Sequence, residues 1–229
     1  MCYDTSIPEQ KDLISQFKKK KVKYVRDQYY HVSGFVRPFL PVTLNNNIDV
    51  IDEARWKLIP FWVKTEEAAK KYANTLNAES ETVFEKASYK PYILKNRGLL
   101  YVNGFYEPHV VPGLKATENY YIYKPNKEIF TLGIVYAPFT DQETGETYNS
   151  FSILTTKANP LLEEVHNAKK RMPFVVPEYN REAWLNSTSK EEIQSLMKPY
   201  EFELSTHRVM RVTAARGIDL NTPEVQNAI

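Results

Sequence analysis

At 229 residues, 42% hydrophobic and 25% charged, the chain suits one globular domain with a real core, or at most two small ones. No apolar run approaches the roughly 20 residues of a membrane span, and the polar start MCYDTSIPEQ lacks a signal core, so a cytoplasmic setting is expected. A lone cysteine, Cys2, excludes an internal disulfide, no Cys/His spacing marks a zinc site, and a net charge of +2 permits a basic nucleic-acid groove without requiring one.

Residues 8–20 place Leu13, Ile14 and Phe17 on one face of a predicted helix, with the basic run 18–21 at its C-terminal end. Aromatic and β-branched segments at 55–63, 98–107, 119–124, 129–139, 149–156 and 207–213 read as strands. The segment DQETGE at 141–146 reads as a turn joining two of them into a hairpin. Helices are expected at 65–74, 160–166, 178–185 and 189–198, the third started by Pro177 and Glu178. No repeat, low-complexity linker or boundary divides the chain, so residues 1–229 read as one domain. Strands clustered mid-chain among irregularly placed helices predict an α+β fold on a curved, barrel-like, mostly antiparallel sheet flanked by helices. With seven glycines and neither a P-loop nor G-x-G-x-x-G, the common phosphate cradles and a nucleotide cofactor are not expected.

Cys2 is the first candidate for chemistry. Removal of Met1 would leave one residue with an α-amine and a thiol, whose ordinary pKa values are about 8 and about 8.5. A 1,2-aminothiol condenses with an aldehyde to a Schiff base, and its thiol then closes a thiazolidine ring. An internal cysteine cannot do this.

Four segments, in order, resemble the motifs of the SOS response-associated peptidase (SRAP) family. They are Met1-Cys2, Trp56-Lys57-Leu58-Ile59-Pro60-Phe61-Trp62, Asn77-Ala78-Glu79-Ser80-Glu81-Thr82 and Asn103-Gly104-Phe105-Tyr106-Glu107. His166 and Arg171-Met172-Pro173 complete the set. The resemblance implies the SRAP fold and a DNA-damage protein that binds single-stranded DNA containing abasic sites. It further implies autoproteolytic removal of Met1 and capture of the abasic aldehyde by Cys2 as a thiazolidine crosslink. No cofactor is implied, and a monomer is the default expectation.

Within that resemblance, Glu107 is the candidate to orient and deprotonate the Cys2 amine. His166, titrating near neutrality, would protonate the opened sugar oxygen. Asn77 would fix the N-terminal residue or the sugar by hydrogen bonds. Trp62 is the candidate stacking surface for DNA, with Trp56 expected in the core, and Arg37 and Arg171 are candidate phosphate contacts. Asp4 and Glu79 stand where many family members carry arginine, and Pro108 where they carry tryptophan, which would weaken the hold on phosphate. Two other readings follow from the same residues. One is a cysteine amidase or peptidase acting in trans, with Cys2 as nucleophile and His166 as base. The other is a non-covalent reader of single-stranded DNA, which retention of Met1 would favour.

Overall fold

The computed structural model describes residues 2–201, 203–212 and 218–229. Its strands begin with β1 (Asp4–Ile7), β2 (Lys21–Val22), β3 (Tyr29–Ser33), β4 (Phe39–Leu44), β5 (Val50–Trp56), β6 (Asn77–Glu79) and β7 (Arg97–Val102). They continue with β8 (Gly104–His109), β9 (Glu118–Tyr123), β10 (Phe130–Thr140), β11 (Thr147–Lys157), β12 (Arg171–Pro173), β13 (Val175–Val176) and β14 (Ser205–Val209). Five short α-helices lie between them: α1 (Gln10–Gln16), α2 (Glu66–Lys71), α3 (Pro160–Val165), α4 (Arg181–Asn186) and α5 (Lys190–Leu196).

Strands β11, β10, β7, β4 and β5 pair in that order, all antiparallel. Then β5 returns to β11 in parallel, with Arg55 opposite Ser150 and Trp56 opposite Phe151, and the ring closes into a barrel. The second sheet, in order β14-β9-β8-β1-β3, is antiparallel throughout. One hydrophobic cluster joins the two: Cys2, Ile7, Phe105 and Ile122 from the second sheet and its lead-in pack with Leu40, Val42, Trp56 and Phe151 of the barrel. The α+β, barrel-like, mostly antiparallel architecture expected from the sequence is the one observed.

Local chemistry explains the boundaries. The β10–β11 hairpin turns where Asp141 Oδ1 accepts the N–H groups of Glu143 (2.7 Å) and Thr144 (3.2 Å), and Gly145 takes a φ of +76°. The other oxygen, Oδ2, accepts the Glu66 N–H at 2.8 Å and so supports the start of α2. Asn159 caps α3, and Ser189 with Glu192 forms a capping box on α5.

Several expected elements are corrected. The strand placed at 55–63 ends at Trp56, because Lys57 has a φ of +100° that no strand accommodates. The strand placed at 98–107 is two strands, broken at Asn103, where the chain leaves the barrel for the second sheet. The first helix is shorter than expected: Ile14 is exposed and the lysine run lies beyond the C-terminal end. Residues 178–185 begin as a 3₁₀ turn, Glu178–Asn180, before α4. The last strand stops at Val209, and Thr213, expected at its end, lies outside the described residues. Among the described residues, no helix is long and apolar enough to cross a membrane.

Candidate active site

Cys2 enters β1, which lies between β3 and β8. Register sets Asp4 opposite Tyr106 and Thr5 opposite Phe105, so the strand carrying Glu107 is the immediate neighbour of the strand that follows Cys2. From the barrel side, β6 pairs in parallel with β11 and brings Asn77 opposite Ile153. Strand β12 pairs with the far end of β11, Arg171 opposite Lys157, and ends the turn that begins at His166, the C-cap of α3. The site thus forms at the junction of the two sheets, with β11 as common support for Asn77 and Arg171.

The side chains converge closely. Asn77 Nδ2 donates to the Cys2 carbonyl at 2.8 Å, and the Asn77 carbonyl accepts from Tyr89 Oη at 2.9 Å. Asn77 Oδ1 is buried and meets no hydrogen-bond donor among the described residues. His166 Nδ1 donates to the Arg171 carbonyl at 2.9 Å and stands 3.6 Å from Glu107 Oε2. Since a carbonyl only accepts, the proton sits on Nδ1 and Nε2 is the acceptor nitrogen. Cys2 and Glu107 are fully buried and His166 nearly so.

Burial decides the ionisation of this group. Loss of hydration pushes the Glu107 carboxyl up to about 7, with the nearby charge of Asp4 acting in the same direction. Burial pulls His166 down to about 4, so its imidazole is neutral at neutral pH. The expectation that His166 titrates near neutrality is therefore corrected: Glu107 is the group that does. Their 3.6 Å approach is no ion pair at pH 7, because the imidazole carries no charge there. Burial, reinforced by the charge of Glu107, pushes the Cys2 thiol well above its ordinary value, so sulfur is held as a thiol.

The remaining candidates lie around this centre in different states. Trp56 is fully buried, its indole N–H donating to the Leu76 carbonyl at 2.9 Å. Trp62 is partly exposed and meets exposed Phe61 edge to face at 5.1 Å, forming an aromatic ridge. Arg37 is buried and bound to both oxygens of Glu66, at 2.8 and 3.0 Å. Arg171 makes a two-pronged pair with Glu81, at 3.0 and 2.9 Å, and donates to the Thr155 carbonyl at 2.8 Å. Both guanidinium groups are already neutralised, so a phosphate would meet them alongside a carboxylate. Asp4 turns inward to His31 at 3.0 Å, and Glu79 faces Lys86 at 3.4 Å. Met1 lies outside the described residues.

Sequence reasoning passed over the cavity beside Tyr3. About 290 Å³ in volume, it is lined by Phe35, Arg37, Lys57, Lys70, Tyr72 and Asn74. Tyr3 packs on Phe35 at 5.2 Å, and Asn74 Nδ2 donates to Tyr3 Oη at 3.5 Å, which ties the cavity to the residue after Cys2. Its advance signals were Arg37, a candidate phosphate contact, and Lys57, inside a motif but without an assigned role. A larger cleft of about 590 Å³ lies beside Tyr123 and His207 of the second sheet. Two of its three glutamines, Gln16 and Gln226, bond to main-chain groups of Ile129 and Tyr30.

Comparison with known proteins places this geometry. The pattern of the family described as SOS response associated peptidase (SRAP) matches residues 1–214. The abasic site processing protein YoqW of Bacillus subtilis (strain 168) is 30% identical over 203 residues, spanning 86% of each chain. The abasic site processing protein YobE of the same organism is 28% identical over 203 residues, spanning 86% of this chain and 88% of its own. A crystal structure of a protein from Bacteroides thetaiotaomicron superposes with a TM-score of 0.87 at 31% identity, over 100% of both chains. With motifs, fold and relatives in agreement, the chain belongs to the SOS response associated peptidase family.

Proposed function

We propose that this protein processes abasic sites in DNA, capturing the ring-opened aldehyde of a single-stranded lesion on Cys2 after removal of Met1. The observation that carries the proposal is the burial of Glu107 together with Cys2, whose carbonyl Asn77 holds at 2.8 Å, a burial that lifts the Glu107 carboxyl to about 7. A group half ionised at neutral pH can take a proton in one step and return it in the next. Ionised Glu107 takes a proton from the Cys2 ammonium, and the amine so freed adds to the aldehyde carbon, one of its own protons moving to oxygen to complete the carbinolamine. Protonated Glu107 then donates to the departing hydroxyl, which leaves as water and gives the protonated imine. The Cys2 thiol adds to the imine carbon, its proton passes to nitrogen, and the thiazolidine closes, the extra proton staying on the ring nitrogen until it is lost to solvent. The sum is ammonium plus thiol plus aldehyde giving thiazolidine, one water and one proton.

Neutral His166, fixed by the Arg171 carbonyl, serves as orienting acceptor rather than as an acid. Asn77 Oδ1 is placed to accept from the amine or from a sugar hydroxyl. Phe61 and Trp62 offer ring faces to unstacked bases, and Arg37 and Arg171 join the phosphate path as already paired cations. The same Cys2 and Glu107 would serve the self-cleavage that frees the amine.

The test is incubation of the protein with a single-stranded oligonucleotide holding one abasic site, read by denaturing gel and intact mass. An adduct of protein lacking Met1 plus DNA minus one water is expected, and Cys2→Ala should form none. Hydrolysis of amide substrates without an adduct would replace this reading with a peptidase acting in trans. Reversible binding alone would replace it with a DNA reader.

A further inference from the structure

The turn after His166 carries three successive cations, Lys169, Lys170 and Arg171. Two have acidic neighbours: Arg171 is bound by Glu81, and Lys170 lies 3.9 Å from Glu163. Lys169 is exposed, and no ion pair engages it among the described residues.

The turn is firmly held. The N–H groups of Lys169 and Lys170 both donate to the His166 carbonyl, at 3.3 and 2.9 Å, and the Lys170 carbonyl accepts from Ala158 at 3.0 Å. Asn167 brackets Val110, accepting from its N–H at 3.0 Å and donating to its carbonyl at 2.8 Å. Val110 follows directly on β8, the strand of Glu107, and Ala158 follows directly on β11. The turn is therefore stitched to both supports of the site, with Lys169 at its rim. Its charge reaches inward, favouring the ionised form of Glu107 and opposing protonation of His166.

We propose that Lys169 is a phosphate contact for the lesion-bearing strand, holding a backbone phosphate beside the abasic sugar at the rim above Glu107 and His166. The proposal rests on the abasic-site reading. A sugar delivered to Cys2 must leave its flanking phosphates at the mouth of a buried site. A strongly hydrated ammonium on a long, flexible stem, with no ion pair engaging it among the described residues, suits such a phosphate. This cation is also free of the carboxylates that already occupy Arg37 and Arg171.

Crosslinking rates are measured against concentration of the abasic oligonucleotide for wild type, Lys169→Gln and Lys169→Arg, at several salt concentrations. Lys169→Gln should raise the half-saturating DNA concentration by about three- to tenfold, as expected for one charge-assisted contact. It should also flatten the dependence of log affinity on log salt by about 0.7. Lys169→Arg should restore both, and the melting temperature of each variant reports the fold. An unchanged half-saturation point and salt slope in Lys169→Gln would overturn the proposal. Should wild type form no adduct, the abasic-site reading fails by itself, and reversible binding of an undamaged oligonucleotide by the same variants still decides on Lys169. No binding of either oligonucleotide by wild type overturns it as well.

Discussion

At the scale of single residues, the proposed function turns on a carboxylate placed where water cannot reach it. Glu107 lies with Cys2 in the shared core, and its carboxyl titrates at about 7 because ionising it there forfeits hydration. The rate of adduct formation at saturating DNA should therefore rise with pH through about 7, read from a pH–rate profile. Glu107→Gln should lower that rate by about 100-fold or more and abolish the rise, the usual scale for a lost general acid–base. Asn77→Ala removes the 2.8 Å bond to the Cys2 carbonyl and should slow the same step by about tenfold, about one hydrogen bond's worth. Single-turnover kinetics separates it from a loss of DNA affinity.

At the scale of elements, close approach sets what can vary. Gly104 opens β8 against β9, and a Cβ there would stand 2.5 Å from the Tyr121 ring and 2.6 Å from the Ile122 carbonyl oxygen. Gly104→Ala should cost about 2 kcal/mol and lower the melting temperature by roughly 4–8 °C by calorimetry. Because the same strand carries Glu107, crosslinking should fall with it. Arg97 makes a second such point. Fully buried, it donates to the carbonyls of Ile93, Leu94 and Trp184, at 3.0, 2.8 and 2.9 Å, and so binds α4 to the barrel with no carboxylate partner among the described residues. Arg97→Met should cost about 3 kcal/mol in a denaturant titration by leaving buried carbonyls unbonded. The long strands β10 and β11 and the turn between them were legible in the sequence, since apolar runs around DQETGE admit little else. Strands β1, β6 and β12 were not, being three or four residues long and held by non-local pairing rather than by pattern. The break at Asn103 was invisible for a related reason: apolar residues continue on both sides while the sheet beneath them changes. Motif order brought Cys2, Asn77, Glu107 and His166 forward as one group, whereas their ionisation could not be read in advance because burial is a property of the fold.

At the scale of the whole molecule, Glu107 and His166 act on stability in opposite directions. Glu107 binds its proton more tightly folded than unfolded, so its contribution is present below about 4.5 and lost as pH rises through about 7. His166 is held neutral, so its contribution is present above about 6.5 and lost as pH falls through about 4. Across the interval they share, the two slopes largely offset each other. Glu107→Gln should expose the His166 slope and make the protein more stable at pH 8 by up to about 3 kcal/mol, with little change at pH 4, as urea unfolding at each pH would read. The barrel closes through Arg55 and Trp56 against Ser150 and Phe151, a parallel pairing between distant segments, and the strand that closes it also supports Asn77 and Arg171. This order of assembly bears on how a reactive terminus survives its own synthesis. Cys2 leaves the ribosome well before β11, which begins at Thr147, and before His166. Until they do, its thiol is an ordinary, accessible one, open to any small aldehyde or oxidant in the surroundings. In the folded protein that sulfur is buried and its pKa raised, so on the proposed reading folding shields the nucleophile from casual reagents as it completes the environment in which it would react.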